Sequence, residues 1–205
     1  MALCVLVQIG LFLAGPAVAA AVGFEFGLIP ARFVAAATGR ADMISAAITL
    51  FTHGLLHWGL LHLAMNMAML GFLGRDVEWR LGAGGLLLLF WAGVLAGAGL
   101  EIALDPMSMS EGRGASGGVA AVLAGYAMIF GNTRLASRRV AGLLIPGRWL
   151  TALWYAAAWI GVQLLSALAF NTGMNSIAIG AHIGGFLAGM ALAGPLARRR
   201  RFKGD

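Results

Sequence analysis

Long apolar stretches alternate with short polar segments along the chain. A helix of about 17–25 apolar residues can cross the roughly 30 Å of hydrocarbon in a bilayer. Lipid offers no hydrogen-bond partner to an exposed backbone, so we expect each stretch to be a helix. The pattern predicts an all-α membrane protein with six transmembrane helices in a single domain, residues 1–205. The predicted spans are 2–23, 53–73, 84–104, 115–131, 149–170 and 176–194.

The composition is typical of a membrane protein. Of the 205 residues, 60% are hydrophobic and 11% are charged, and the mean hydropathy is +0.88; soluble domains are far more polar. The 31 glycines follow no collagen period, and in lipid small residues let helix backbones approach closely. Three pairs have the required spacing: Gly93-x-x-x-Gly97, Gly180-x-x-x-Gly184 and Gly185-x-x-x-Gly189.

The basic residues predict the topology and argue against nucleic acid as a partner. The net charge is +6, but the 14 Lys and Arg residues are unevenly placed: two follow span 2, four lie between spans 4 and 5, and five follow span 6. Arg32, Arg40 and Arg113 remain for the other side. The positive-inside rule places the larger group in the cytoplasm, with the terminal Arg run near anionic headgroups of the lipid bilayer. We expect a multi-pass protein of a bacterial inner (plasma) membrane with cytoplasmic termini.

The first span and the connection that follows it need separate expectations. Residues 11–23 resemble a signal-peptide cleavage region, but residues 1–10 contain no Lys or Arg, so we expect a retained helix. The connection 24–50 is long, which is typical of functional or disordered loops, and it is too apolar for disorder. We expect it to be partly helical and to lie in the outer interface beside the functional site. Cys4 has no partner for a disulfide and is expected to be inert packing.

Polar side chains interrupt three of the predicted spans. His57, His62 and Asn66 lie in span 2, Ser116 begins span 4, and His182 lies in span 6. Polar groups within a membrane are costly and by default mark a functional site. These three spans all run inward in the predicted topology, so the polar residues share one depth near the outer surface. A serine, a histidine and side-chain hydrogen-bond donors are the groups that acyl transfer needs.

Helical spacing predicts how these groups meet. His62 and Asn66 are four residues apart and share a helix face. Ser116 stands at a helix N-terminus, where free N–H groups and a partial positive charge favour a developing oxyanion. Gly185 lies on the same face as His182. Contact between the small-residue faces of spans 4 and 6 would therefore bring His182 within reach of Ser116.

Each polar residue also has a plainer explanation. A serine in a transmembrane helix usually hydrogen-bonds back to a carbonyl of its own helix, and a buried histidine is more often structural than catalytic. His53 and His57, four residues apart, could bind a metal, but no carboxylate or thiol accompanies them. We therefore expect neither a metal nor an organic cofactor.

Four motifs, taken in order, carry a resemblance to a known family. They are His57-x4-His62-x3-Asn66-Met67, Gly74-Arg75-Asp76-Val77-Glu78-x-Arg80-Leu81-Gly82, Gly114-Ala115-Ser116-Gly117 and Ala181-His182-Ile183-Gly184-Gly185-Phe186. We expect the second of them to form a charged turn at the cytoplasmic interface. In combination, the motifs resemble the rhomboid family of intramembrane serine proteases, over most of the chain.

The resemblance implies a six-helix rhomboid-like bundle. It also implies a serine endopeptidase that cleaves transmembrane or membrane-proximal segments of single-span protein substrates. Ser116 matches the nucleophile of the family and His182 the general base, without an aspartate. His62 and Asn66 match the side chains that line the oxyanion hole with the Ser116 N–H group. His57 matches a supporting histidine of the same helix.

The sequence departs from the family pattern at two places. The family often has a Trp-Arg pair in the first loop, where Ile48 and Thr49 stand here. An aromatic residue that packs on the base often stands four positions after the nucleophile, where this chain has Ala120. We therefore expect a gap beside His182 and a different partner for its imidazole.

Two other classes of function remain open. One is an inactive rhomboid-like protein that binds or escorts membrane clients, which should have lost the serine, the histidine or the oxyanion donors. The other is a small transporter, for which the chain lacks paired charges or broken-helix repeats at the midplane.

Overall fold

Helices make up most of the computed structural model, which describes residues 1–140, 142–169 and 178–201. Residue 170, the first two residues of the sixth predicted span and Lys203 lie outside the described residues. The helices are α1 (Ala2–Ala14), α2 (Pro16–Phe26), α3 (Pro30–Ala37), α4 (Met43–Thr52), α5 (Leu60–Leu104), α6 (Ser116–Arg134), α7 (Gly147–Ala169) and α8 (Ile179–Arg201).

The first predicted span is not one helix. It divides into α1 and α2 at Gly15, whose φ is 92°, and Pro16 begins α2. Glycine adopts a positive φ without a steric penalty, and proline supplies no N–H group to continue the ladder of the preceding helix. At about 1.5 Å per residue, the 13 residues of α1 and the 11 of α2 are each too short to cross a bilayer alone.

The connection after the first span is partly helical, as predicted, and contains α3 and α4. The Asp42 carboxylate caps α4 by accepting the backbone N–H of Ser45 at 2.7 Å, and hydrogen bonds from the Ser45 side chain and then its backbone lower the pKa of Asp42. A bridge between Leu28 and Gly112, with N···O distances of 3.0 and 2.7 Å, ties the connection to the segment that precedes α6.

The second predicted span begins later than expected. Residues 53–55 form a 3₁₀ turn, and α5 starts at Leu60 after Gly59. His57 therefore lies in a loop, and its predicted place on the same helix as His62 is wrong. Apolar residues continue through Leu55 and Leu56, so hydropathy alone could not place the helix start.

The predicted charged turn at residues 74–82 is also wrong, since the helix continues through residue 81. The interruption is confined to Gly82, whose φ of 78° and ψ of 166° are not helical. Few other residues tolerate that backbone conformation. The interruption divides α5 into segments 60–81 and 83–104, which correspond to the second and third predicted spans.

The predicted close packing through small residues is confirmed among α5, α6 and α8. A Cβ atom added at Gly93 would lie 3.2 Å from the Cα atom of Gly118, and one at Gly97 would lie 3.1 Å from the Cα atom of Ala181. The α6 side chains Val119 and Val122 are fully buried in the same region. These contacts hold the backbones of the three helices that carry His62, Asn66, Ser116 and His182 close to one another.

The last helices and a short hairpin complete the fold. The Thr151 hydroxyl of α7 donates to the carbonyl of Gly131 at 3.1 Å, which joins α7 to the end of α6. Between these helices, β1 (Arg138–Val140) pairs antiparallel with β2 (Leu143–Ile145), a hairpin that the all-α prediction did not include.

Among the described residues, two helices are long and apolar enough to cross a membrane, α5 and the 179–199 part of α8. Four shorter apolar helices accompany them, which are Ala2–Ala14, Pro16–Phe26, Met43–Leu55 and Ser116–Gly131. The six-span count stays a prediction.

Candidate active site

Helix α6 begins at Ser116, as predicted. Gly114 has a φ of 150° and its N–H group donates to the His53 carbonyl at 2.9 Å. The helical hydrogen bonds then start with Val119, whose N–H group donates to the Ala115 carbonyl at 2.9 Å. The first N–H groups of a helix have no acceptor within the helix. The Ser116 side chain, which is 7% exposed, therefore stands beside backbone donors that can bind an anion.

The His62 imidazole and the Ser116 hydroxyl both lie beside Gly114. A Cβ atom at position 114 would lie 3.2 Å from His62 Nε2 and 3.5 Å from Ser116 Oγ. The backbone N–H of Trp58 donates to His62 Nδ1 at 3.5 Å, a long hydrogen bond. With Nδ1 as acceptor, the proton of the neutral ring lies on Nε2, which makes Nε2 a donor on the Ser116 side.

Asn66 lies one turn after His62 on the same face of α5, as predicted. Its Nδ2 donates to the His62 carbonyl at 2.9 Å, and the residue is only 2% exposed. This bond uses one of the two amide hydrogens and fixes the orientation of the side chain. The second amide hydrogen remains to serve as a donor.

His57 supports this arrangement from the loop before α5. Its Nε2 accepts the backbone N–H of Ala115 at 3.5 Å, and its ring lies edge-on to that of His62 with centroids 5.2 Å apart. His57 thus contacts both the residue before Ser116 and the imidazole beside it. It occupies a supporting position although it does not belong to the helix.

Helix α8 brings His182 toward the first turn of α6. A Cβ atom at Gly185 would collide with the carbonyl oxygen of Gly117, and one at Gly117 would lie 3.3 Å from the carbonyl oxygen of Ala181. The residues that adjoin Ser116 and His182 are thus in backbone contact, which is the meeting of small-residue faces that the sequence predicts. His182 itself is 9% exposed.

Two features beside His182 were missed by sequence reasoning. The Trp159 ring of α7 lies edge-to-face with the imidazole, with centroids 6.2 Å apart and planes 80° apart. The Glu101 carboxylate, near the end of α5, accepts the N–H group of Ala181 at 3.1 Å and so caps α8. The Glu101 cap had a signal in the sequence, because a lone carboxylate stands at the end of an apolar span. Nothing in the spacing indicated the Trp159 contact.

A cluster around Arg113 was also missed, because sequence reasoning used this residue only for topology. The guanidinium lies over the Trp58 ring, 4.2 Å from its centroid, and donates to Glu111 at 2.6 Å and to the Ala19 carbonyl at 3.5 Å. The contacts join the segment before Ser116 to α2 and to the loop before α5. A Trp–Arg contact therefore exists, made by residues other than those at the expected place in the first loop.

The expected place for that pair, Ile48 and Thr49, lies on α4. Ile48 is 46% exposed, whereas Thr49 is buried. The Thr49 hydroxyl donates to the Ala46 carbonyl at 2.7 Å, and its own carbonyl lies 2.8 Å from His53 Nδ1. The hydrogen bond between the Thr49 carbonyl and His53 therefore links α4 to the 3₁₀ turn at residues 53–55.

An apolar cavity of about 300 Å³ lies between α5, α6 and α7, next to Trp159. Its wall is formed by methionine, alanine, leucine and aromatic side chains, with almost no polar surface. The lining residues are Met65, Ala68, Met69, Leu123, Tyr155, Ala158 and Trp159.

A family model described as the rhomboid domain matches residues 45–199, well over half of the chain. The matched region contains every residue of the site described above except Ala19, whose carbonyl accepts from Arg113. No curated protein matches the chain.

Proposed function

The chain belongs to the rhomboid family, and from that premise we propose that it is a catalytically active intramembrane serine endopeptidase. The family and the apolar helices make it an integral membrane protein. Its substrates are single-span membrane proteins, cleaved within or next to the transmembrane segment.

The observation that carries this proposal is the convergence of three kinds of group at the start of α6. Ser116 Oγ and His62 Nε2 both lie beside Gly114, next to the free backbone N–H groups, and α8 contacts this turn through Ala181 and Gly185, which flank His182. An inactive relative that only binds membrane clients has no need of this set, so its retention favours catalysis.

In the proposed reaction His182 is the general base and Ser116 the nucleophile. The imidazole takes the hydroxyl proton as Oγ bonds to the carbonyl carbon of the scissile peptide. The tetrahedral intermediate then expels the amine, which receives that proton from His182. His182 then takes a proton from a water molecule as it attacks the acyl-enzyme, and returns that proton to Ser116 Oγ as the acid is released.

The oxyanion of the intermediate needs donors aimed at one point. We assign this role to the Ser116 N–H group, His62 Nε2 and the free hydrogen of the Asn66 amide. Each such donor is worth roughly 3–4 kcal/mol in soluble proteases. His57 acts indirectly by holding the Ala115 N–H group and the His62 ring.

The proposal includes an orientation, with both termini in the cytoplasm of a bacterial inner membrane and the site near the outer surface. The distribution of basic residues supports it. A reporter that works only in the cytoplasm, fused after Asp205, should be active. Activity of a periplasmic reporter at the same position would reverse the orientation.

The decisive experiment compares the purified protein with its Ser116→Ala variant on a model single-span substrate. The wild type should cleave and should be labelled by a fluorophosphonate probe, and Ser116→Ala should do neither. Ser110→Ala, the same change in the preceding loop, is the control and should leave both signals intact. Binding of the substrate without cleavage by the wild type would favour the inactive relative instead.

A further inference from the structure

We infer that Trp159 positions the His182 imidazole, taking the part of the aromatic residue that is absent at position 120. The inference rests on the proposed function, in which His182 is the general base. Trp159 acts through its contact with the His182 ring, so in this inference it is a positioning residue.

The contact joins α7 to α8. Trp159 lies on α7 and is 5% exposed, and its ring meets the imidazole edge-to-face at 6.2 Å. Edge-to-face contact is a favoured geometry for aromatic rings because the positive edge of one meets the negative face of the other. The indole therefore favours one orientation of the imidazole plane.

Four of the positions next to His182 along α8 carry a small side chain or none. Position 181 is alanine, positions 180, 184 and 185 are glycine, and each of them is used for close approach to α5 or α6. Ala120, one turn after Ser116, is fully buried and offers only a methyl group. Trp159 supplies a large ring from another helix on which the imidazole packs.

The indole of Trp159 carries a free-energy cost, a buried N–H group without an acceptor among the described residues, which packing alone does not explain. Trp159 Nε1 is buried without a hydrogen-bond partner among the described residues, whereas buried tryptophans usually find one. A phenylalanine would fill apolar space there without leaving a donor unsatisfied. The size and reach of the indole toward His182 give a reason for its presence.

Restricting the imidazole matters because proton transfer requires Nε2 to face the Ser116 hydroxyl. A ring that turns freely spends part of its time with the wrong edge toward the nucleophile, and this lowers the rate of attack without changing substrate binding. Loss of one aromatic pair corresponds to roughly a 3- to 10-fold fall in rate. The expected signature is a lower kcat at an unchanged KM.

The test compares Trp159→Leu with Trp159→Phe in the full-length protein. Both variants remove the indole N–H group and reduce volume, but only phenylalanine keeps an aromatic ring. We expect Trp159→Leu to lower kcat and the rate of fluorophosphonate labelling by about 3- to 10-fold, and Trp159→Phe, with a smaller ring, to recover part of that loss. KM for the single-span substrate should stay within about twofold.

A matched control separates positioning from loss of packing. Tyr155 lies on the same helix and lines the same cavity, but its ring contact is with Tyr126. Tyr155→Leu should lower the melting temperature about as much as Trp159→Leu while leaving kcat within about twofold. Equal losses of kcat in the two leucine variants would overturn the inference, as would a Trp159→Phe variant no better than Trp159→Leu.

The results that would contradict the proposed function differ from those that would contradict the role of Trp159. A Ser116→Ala protein that still cleaves, or a wild type that neither cleaves nor labels, would overturn both proposals. Cleavage that depends on Ser116 but is unchanged in Trp159→Leu would overturn only the positioning role.

Discussion

The two sides of the candidate site are held together by different kinds of contact. On the glycine side, defined by Gly117, Ala181 and Gly185, α6 and α8 meet backbone to backbone. On the loop side, defined by Arg113, Trp58 and His57, the segment before Ser116 is held by side chains: a guanidinium over an indole, an ion pair and a long N–H···N bond.

The difference teaches how each side responds to change. A backbone cannot move away from an added atom unless its whole helix shifts, so the glycine side should fail abruptly. Contacts made by side chains each contribute a limited free energy, so the loop side should weaken by degrees.

The largest effect is expected from Gly185→Ala. The added methyl group would collide with the Gly117 carbonyl oxygen and force α8, with His182, away from Ser116. Overpacking costs about 1–3 kcal/mol, occasionally more, and we expect activity to be lost. Gly194→Ala on the same helix is the control, because a Cβ atom there meets nothing within 4 Å. Normal cleavage by Gly185→Ala would show that the contact between α6 and α8 can accommodate an added methyl group. The proposed difference between the two sides would then be wrong.

A second, smaller effect is expected from Asn66→Ala. Asn66 is held on α5 by its own helix, so removing the amide should leave both sides of the site in place. The result should be a fall in kcat of about 10²-fold, as for oxyanion donors of soluble proteases, with little change in KM or in melting temperature. An unchanged kcat would assign Asn66 to packing and require another donor.

On the loop side, Arg113→Ala should lower stability more than activity. The variant removes a cation–π contact, worth about 0.5–2 kcal/mol, and leaves the half-buried Glu111 without its partner. We expect a loss of about 2 kcal/mol in the free energy of unfolding and a modest fall in kcat. Arg40→Ala, on the exposed connection, is the control. If Arg113→Ala folds but no longer cleaves, the expectation that the loop side loses activity only gradually would be wrong.

Much of the glycine side was predictable from the sequence because its signals are local. Ser116 begins α6 where a Gly-rich motif meets an apolar run, and His182 and Gly185 share a face by helical spacing alone. Contact between the small-residue faces then follows from the rule that small residues permit close approach in lipid. The signal for the helix break at Gly15-Pro16 was equally local, but the long apolar stretch around it concealed the break.

The loop side and the contact of Trp159 could not be predicted in the same way. Trp58 and Arg113 meet, as do Trp159 and His182, between separate segments of the chain rather than along one helix. Such pairs have no period and no motif. Hydropathy averaged over a window also concealed the late start of α5, which placed His57 in a loop.

Glu101→Ala should have the smallest effect and tests the contrast most closely. Its carboxylate caps α8 one residue before His182, so this polar contact lies on the glycine side. Loss of a cap costs about 0.5–2 kcal/mol. Because backbone contacts already fix α8, we expect a loss near 1 kcal/mol in the free energy of unfolding and little change in kcat. Glu101→Gln, which keeps an oxygen acceptor, is the matched variant and should fall between Glu101→Ala and the wild type. A loss of kcat in Glu101→Ala larger than that in Arg113→Ala would mean that the cap, rather than the glycine contacts, sets the position of His182.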